Sequence, residues 1–250
     1  MAKDVQPFDI THAFKVDATY DLPFGRGRTF LSNSNGFVNA LVGGFSILPT
    51  IRWQSGSPIQ VGNVQLVGIT VKELQKLVKV NKKDATASFL PNLTTWLPDD
   101  IILNSQRAFD INISNTTGYG TTYGGTAGVG TAPTGKFIAP AGYGNCVSTF
   151  VGQCGFNNLV IYGPSFFKLD VSVAKKFSLG EKRNIELKAT FLDALNHPNF
   201  RVGGWAADIT GAVCCGSTFG QLGSGSAYQA VSTTNDSGGR LIDLTFRFNF

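Results

Sequence analysis

The sequence predicts an all-β fold, an antiparallel meander of about five strands forming the last strands of a transmembrane β-barrel, with long extracellular loops and one short helix. Three observations predict it. First, Arg240–Phe250 reads R-L-I-D-L-T-F-R-F-N-F, with Ile242, Leu244, Phe246, Phe248 and Phe250 on one parity and Asp243, Thr245, Arg247 and Asn249 on the other. Side chains alternate across a strand, so one apolar face is backed by one polar face. Second, the same alternation recurs at four earlier places. Third, the connections between these places alternate between short and long, as in a barrel with short turns at one rim and long loops at the other.

Composition agrees. Of 250 residues only 15% are charged, while 30 are Gly and 20 are Phe. That mixture fits a chain rich in strands and loops. No run of about 18 apolar residues occurs, which excludes a transmembrane helix but not a membrane domain built from strands. The opening Met1–Gln6 has no apolar core and no cleavage site, so no signal peptide is expected. An exported chain needs one, unless this chain is a piece of a longer protein. The net charge is +5, but Lys and Arg are scattered and form no nucleic-acid motif, so no nucleic-acid partner is expected.

Taken in order, the first strand covers residues 9–22, with His12, Phe14, Val16, Ala18, Tyr20 and Leu22 against Ala13, Lys15, Asp17, Thr19 and Asp21. The second covers 43–61, with Phe45, Ile47, Pro49, Ile51 and Trp53 against Ser46, Leu48, Thr50, Arg52 and Gln54. The third covers 165–178, with Phe167, Leu169, Val171 and Val173 against Lys168, Asp170, Ser172 and Ala174. The fourth covers 184–196, with Ile185, Leu187, Ala189 and Phe191 against Glu186, Lys188, Thr190 and Leu192. Residues 240–250 form the last. The alternating stretches within them, 12–22, 45–54, 167–174, 185–191 and 240–250, are each close to the roughly 9–11 residues that cross the apolar band at a tilt. Pro23–Asn35 and Ser178–Arg183 are short connections, whereas 62–164 and 201–239 are long and fall outside the cell. The strands then run down, up, down, up, down, and the last one ends in the periplasm. A soluble β-sandwich shows the same alternation, but an insertion as long as 62–164 is large for a compact domain.

In the first long loop, Thr70-Val71-Lys72-Glu73 is a capping box, and Val71, Leu74, Leu77 and Val78 share a helical face. A short amphipathic helix over about 71–82 follows. Lys72, Lys76, Lys79, Lys82 and Lys83 line the rest of it, either as a solvated face or as a contact for anionic lipopolysaccharide or substrate. Residues 118–145, rich in Gly, Thr and Ala, are expected to be irregular, and their glycines complete no dinucleotide fingerprint. Cys146 and Cys154 are expected to form a disulfide in an oxidising space. The adjacent Cys214 and Cys215 could bond to each other with strain, pair elsewhere or stay free. The four cysteines lack the spacing of a zinc site. His12 and His197 sit in no nucleophile or metalloprotease motif, so no enzyme activity, cofactor or metal is expected.

Several segments look like one family: Asp9-Ile10-Thr11-His12 before a strand, and Leu22-Pro23-Phe24-Gly25 followed by basic residues. Gly43-Gly44-Phe45 opens a strand that leads to Gln54-Ser55-Gly56-Ser57-Pro58. Gly163-Pro164-Ser165-Phe166-Phe167-Lys168-Leu169-Asp170 opens the next, and Asn196-His197-Pro198-Asn199-Phe200 closes the fourth. In order and spacing, over nearly the whole chain, they resemble the C-terminal barrel end of TonB-dependent outer-membrane transporters of the carboxypeptidase-regulatory-like type. The terminal aromatic strand, Ile242 to Phe250, resembles the assembly signal of bacterial outer-membrane proteins. The resemblance implies the outer membrane of a Gram-negative bacterium, a signal peptide, a TonB box, a plug and a barrel of about 22 strands. Because the signal peptide, the TonB box and the plug are missing, the chain reads as a truncated segment. The partners implied are outer-membrane lipid and lipopolysaccharide, the rest of the barrel and its plug, TonB through that plug, and a scarce nutrient held by the extracellular loops. Lys15, Asp17, Arg52, Lys168, Asp170, Glu186, Lys188, Asp243 and Arg247 then face the lumen. They either neutralise one another in the wall, line a polar pathway or contact the plug, and their alternating sign favours docking a polar plug over selecting one ion. The competing reading is a surface-exposed binding or structural β protein that assembles its strands with other chains.

Overall fold

The computed structural model describes residues 6, 9–84, 86, 92–110, 116, 118–119, 131–144, 154–180, 183–197, 199–200, 202, 219–222 and 240–250. In chain order the first elements are β1 (Ala13–Asp17), β2 (Tyr20–Asp21), α1 (Gly36–Val42), β3 (Phe45–Gln54), β4 (Pro58–Val67) and α2 (Val71–Leu77). Then come β5 (Asn81–Lys82), β6 (Thr94–Thr95), α3 (Asp99–Phe109), β7 (Phe137–Pro140) and β8 (Phe156–Tyr162). The last are β9 (Phe166–Ser178), β10 (Asn184–Leu192), β11 (Gln221–Leu222) and β12 (Leu241–Asn249). The chain divides into two units: a sheet unit of His12–Gln54, Phe166–Asn199 and Gln229–Phe250, and a loop unit of Met1–Thr11, Ser55–Ser165 and Phe200–Tyr228.

The sheet unit is one antiparallel sheet in the order β1-β3-β9-β10-β12, with β2 also on β3. The strand expected over 9–22 is broken at Ala18 and Thr19. Asp17 pairs with Thr50 and Tyr20 with Ile47, so the register is unchanged across the gap. The cause is Pro49, which lies opposite Ala18. Its carbonyl accepts the Ala18 N–H at 3.1 Å, but proline has no N–H to return. At the end of β10, Asp193 and Asn196 adopt positive φ (49° and 52°), which stops the strand short of the expected residue 196.

The expected strand over 43–61 is in fact two, β3 and β4, belonging to different sheets. Between them Gly56 runs against the Gly163 carbonyl so closely that a Cβ would lie 1.8 Å from that oxygen. Only glycine permits such an approach, and Pro58 then opens β4.

The long loop has secondary structure and a core of its own. β4 pairs with β7 and β8, and β6 pairs with β5 and β11. Ile59, Val61, Leu74, Trp96, Ile102, Ile138 and Leu159 belong to one buried cluster, with Trp96 edge-on to Phe219 at 5.7 Å. The helix expected over 71–82 ends at Leu77. Val78 is extended, Val80 packs against the core, and Asn81–Lys82 become β5. Helix α3 and strand β7 were not expected, and β7 falls inside the stretch read as irregular.

Candidate functional site

The register of the sheet sorts its side chains into two faces, because paired residues on neighbouring antiparallel strands project to the same side. Ile47, Val173, Ala189 and Leu244 form one row across β3, β9, β10 and β12. Trp53 stands between Phe14 and Phe167 in another. Ile185 pairs with Phe248, Leu187 with Phe246 and Phe191 with Ile242. All five aromatic and aliphatic residues from Ile242 to Phe250 are exposed, and the Phe248 and Phe250 rings stack at 6.0 Å.

The opposite face carries the nine charged residues expected there, and their arrangement is banded. Lys15, Arg52 and Lys168 lie in one row, and Asp17, Thr50 and Asp170 in the next. In these two rows the sign repeats across strands and reverses from one row to the next. Like charges placed opposite one another repel, so the ion pairs form along the strand instead. Lys15 reaches Asp17 at 3.3 Å and Lys168 reaches Asp170 at 3.8 Å. Thr50 donates to Asp17 at 2.8 Å, and Asp170 accepts the Asp193 N–H at 2.8 Å. Arg52 donates to Gln54 at 3.1 Å and stands over the Phe166 ring at 5.4 Å. Towards the other rim, Glu186 pairs in register with Lys176 and Arg247, and lies 3.9 Å from the Lys176 amine. Lys188 pairs with Thr245, and Asp243 with Thr190.

One charged side chain on the apolar face was missed. Lys175 lies in register with Phe45 and Leu187. Its amine donates to the carbonyls of Leu41 (3.0 Å) and Gly43 (2.6 Å) and sits 4.2 Å from the centre of the Phe45 ring. The signal was available, since carrying the β9 parity from Val173 two residues further reaches Lys175.

In the loop unit, Lys72, Lys76, Lys79 and Lys82 are exposed, whereas Lys83 is buried against Asp99. Hydrogen bonds from the Thr70 backbone and hydroxyl hold the Glu73 carboxyl below its usual range. Burial, with the Tyr119 hydroxyl 3.5 Å away, pushes Tyr143 up to about 12. Cys154 is buried and disulfide-bonded. Cys146, Cys214 and Cys215 lie outside the described residues. The His197 backbone N–H donates to Asp193 at 3.1 Å, and the His197 ring meets Phe167 edge-on. No cluster of metal-ligating side chains occurs among the described residues.

An antiparallel sheet with one apolar and one charged face is the wall a membrane barrel requires. The family model described as "Outer membrane beta barrel domain" matches residues 2–240. The chain belongs to the outer-membrane β-barrel domain family. No curated protein and no solved structure matches it. The family places this barrel domain in the outer membrane of a Gram-negative bacterium, with a barrel-wall role. In such a wall the apolar face meets lipid and the polar face meets the lumen.

Proposed function

We propose that this barrel domain supplies wall and extracellular loops to a TonB-dependent nutrient importer and performs no chemistry of its own. The observation that carries the reading is the banded polar face. Charges of both signs occur on β1, β9, β10 and β12, with Arg52 alone on β3, and the ion pairs Lys15–Asp17, Lys168–Asp170 and Lys176–Glu186 offset part of them, so that neither sign dominates the face. A balanced polar surface suits docking of a polar plug better than selection of one ion. The segments around Leu22-Pro23-Phe24-Gly25 and Gly163-Pro164-Ser165-Phe166, similar to those of such transporters, support it as well. The loop unit, with its own core, is a stable platform for nutrient capture on this reading.

The test places a photo-crosslinking residue at Arg52 and at Lys188 in outer membranes of the producing organism. The expected product joins each position to plug sequence, and uptake by the intact importer depends on the energised inner membrane. Crosslinks confined to phospholipid would overturn the lumenal assignment. A second reading, a surface protein assembled from several chains, is favoured by β1 and β12 standing as the two edges of the described sheet. Crosslinks from those edges to unrelated chains, with none to a plug, would select it.

A further inference from the structure

Helix α1 is odd for a helix in water. It has seven residues, no buried residue and no charge in its first or last turn. Helices this short do not hold in water by propensity and rely on burying an apolar face. Yet Phe37 is 80% exposed and Leu41 65%. What holds α1 is polar. Asn35 caps its start at 2.8 Å, the Asn39 side chain accepts the Arg26 N–H at 2.7 Å, and the Lys175 ammonium takes the Leu41 and Gly43 carbonyls at its end. A cation at a helix C-terminus is favourable. This gives Lys175 a reason to stand on an otherwise apolar face.

Lys175 also places α1 on the lipid-facing side of the sheet. Between the helix and β9, β10 and β12 runs an apolar groove of about 600 Å³, lined by Leu41, Phe45, Phe177, Leu187, Leu244 and Phe246. The exposed side of α1 therefore continues the face that meets lipid. Residues 23–42, which lead into and form α1, contain Arg26 and Arg28 and no acidic residue, although Arg28 reaches Asp21 at 3.7 Å, and Phe24, Phe30 and Leu31 in this stretch are exposed. Basic and apolar side chains without acids are the composition of a segment lying in a membrane interface. The helix stands at the same rim as the short link between β9 and β10, which is the periplasmic rim of an outer-membrane barrel.

We propose that α1 is an interfacial anchor in the periplasmic leaflet. Phe37 and Leu41 lie among the acyl chains, one phospholipid acyl chain occupies the groove, and Arg26 faces the phosphate headgroups. This goes beyond the import reading and holds whatever the barrel carries.

The test loads outer-membrane vesicles from cells producing the full chain with phosphatidylethanolamine bearing a photoactivatable acyl chain, then maps labelled peptides by mass spectrometry. Label on both residues 36–42 and β12 is the expected result. With Phe37→Glu and Leu41→Glu together, label on 36–42 falls roughly tenfold while β12 stays labelled, because two apolar anchors are lost. Label on β12 alone would overturn the anchor. So would crosslinks from α1 to protein, whether a second copy or another chain. Absence of label from both would overturn the lipid-facing assignment of the whole apolar face, and the proposal with it. The import reading is untouched by the first two outcomes and is tested separately at Arg52 and Lys188.

Discussion

Thr70 and Glu73 hold the start of α2 by reciprocal contacts: the Thr70 hydroxyl accepts the Glu73 N–H at 3.2 Å, and the Glu73 carboxylate accepts the Thr70 N–H at 2.9 Å. Thr70→Ala should cost the loop unit about 1 kcal/mol, read as faster amide exchange across residues 71–77. Because the Thr70 hydrogen bonds lower the Glu73 pKa, the carboxylate stabilises the folded form above its unfolded value. That contribution is lost as pH falls through the lowered folded value. Protection at the start of α2, taken relative to the free-chain rate at each pH, should therefore fall only in clearly acid solution, and Glu73→Gln should flatten the dependence. Tyr143 works in the opposite direction. Its raised pKa favours the neutral phenol, so its contribution is complete below about pH 10 and disappears as pH rises towards 12. An ultraviolet titration should show one tyrosine ionising late, and Tyr143→Phe should remove that step.

At the scale of elements, the strands were legible because the period-2 pattern reports directly which side each residue faces. What broke them was less legible. Pro49 reads as one more member of an apolar parity, yet its missing N–H divides β1 from β2. Pro49→Thr should restore the return bond to Ala18 and give a protected amide at residue 49. An unprotected amide there would show that the break has another cause. Helix α3 was hidden for a different reason. It buries Asn104, Ser105 and Gln106, so the apolar period is interrupted on its inner face. Ser105 and Asn104 are tolerated there because their side-chain oxygens have partners. Ser105 accepts the Ile138 N–H at 2.9 Å, and Asn104 accepts the Thr134 N–H at 2.9 Å. No local rule announces a bond to a residue some thirty positions away. Ser105→Ala leaves the Ile138 N–H buried without its partner and should cost about 1–3 kcal/mol. Thermal unfolding of the loop unit would measure it.

At the scale of the whole molecule, the family assignment turns a pattern of side chains into a pattern of solvents. In an outer-membrane wall a row such as Ile47, Val173, Ala189 and Leu244 is apolar because it meets lipid, and the row one residue away, with Ser172, Thr190 and Asp243, is polar because it meets water. Neighbouring positions in β10 therefore make a matched pair. Ala189→Arg places a charge on the lipid face near the middle of the strand and should destabilise the inserted barrel by about 2–4 kcal/mol. Thr190→Arg gives up a hydroxyl contact with Ser172 at 3.0 Å and gains Asp243 as its cross-strand neighbour, so its cost should be far smaller. Urea titration of the protein in vesicles, or the fraction that stays folded on an unheated gel, compares the two. A soluble sheet packed against a second layer would also suffer from Ala189→Arg, but it would be indifferent to bilayer thickness. A membrane wall should suffer less in thinner bilayers, where residue 189 comes closer to a headgroup and the arginine can reach it. Equal losses at 189 in thick and thin bilayers would therefore count against lipid as the solvent of that face, whatever the charge pattern suggests.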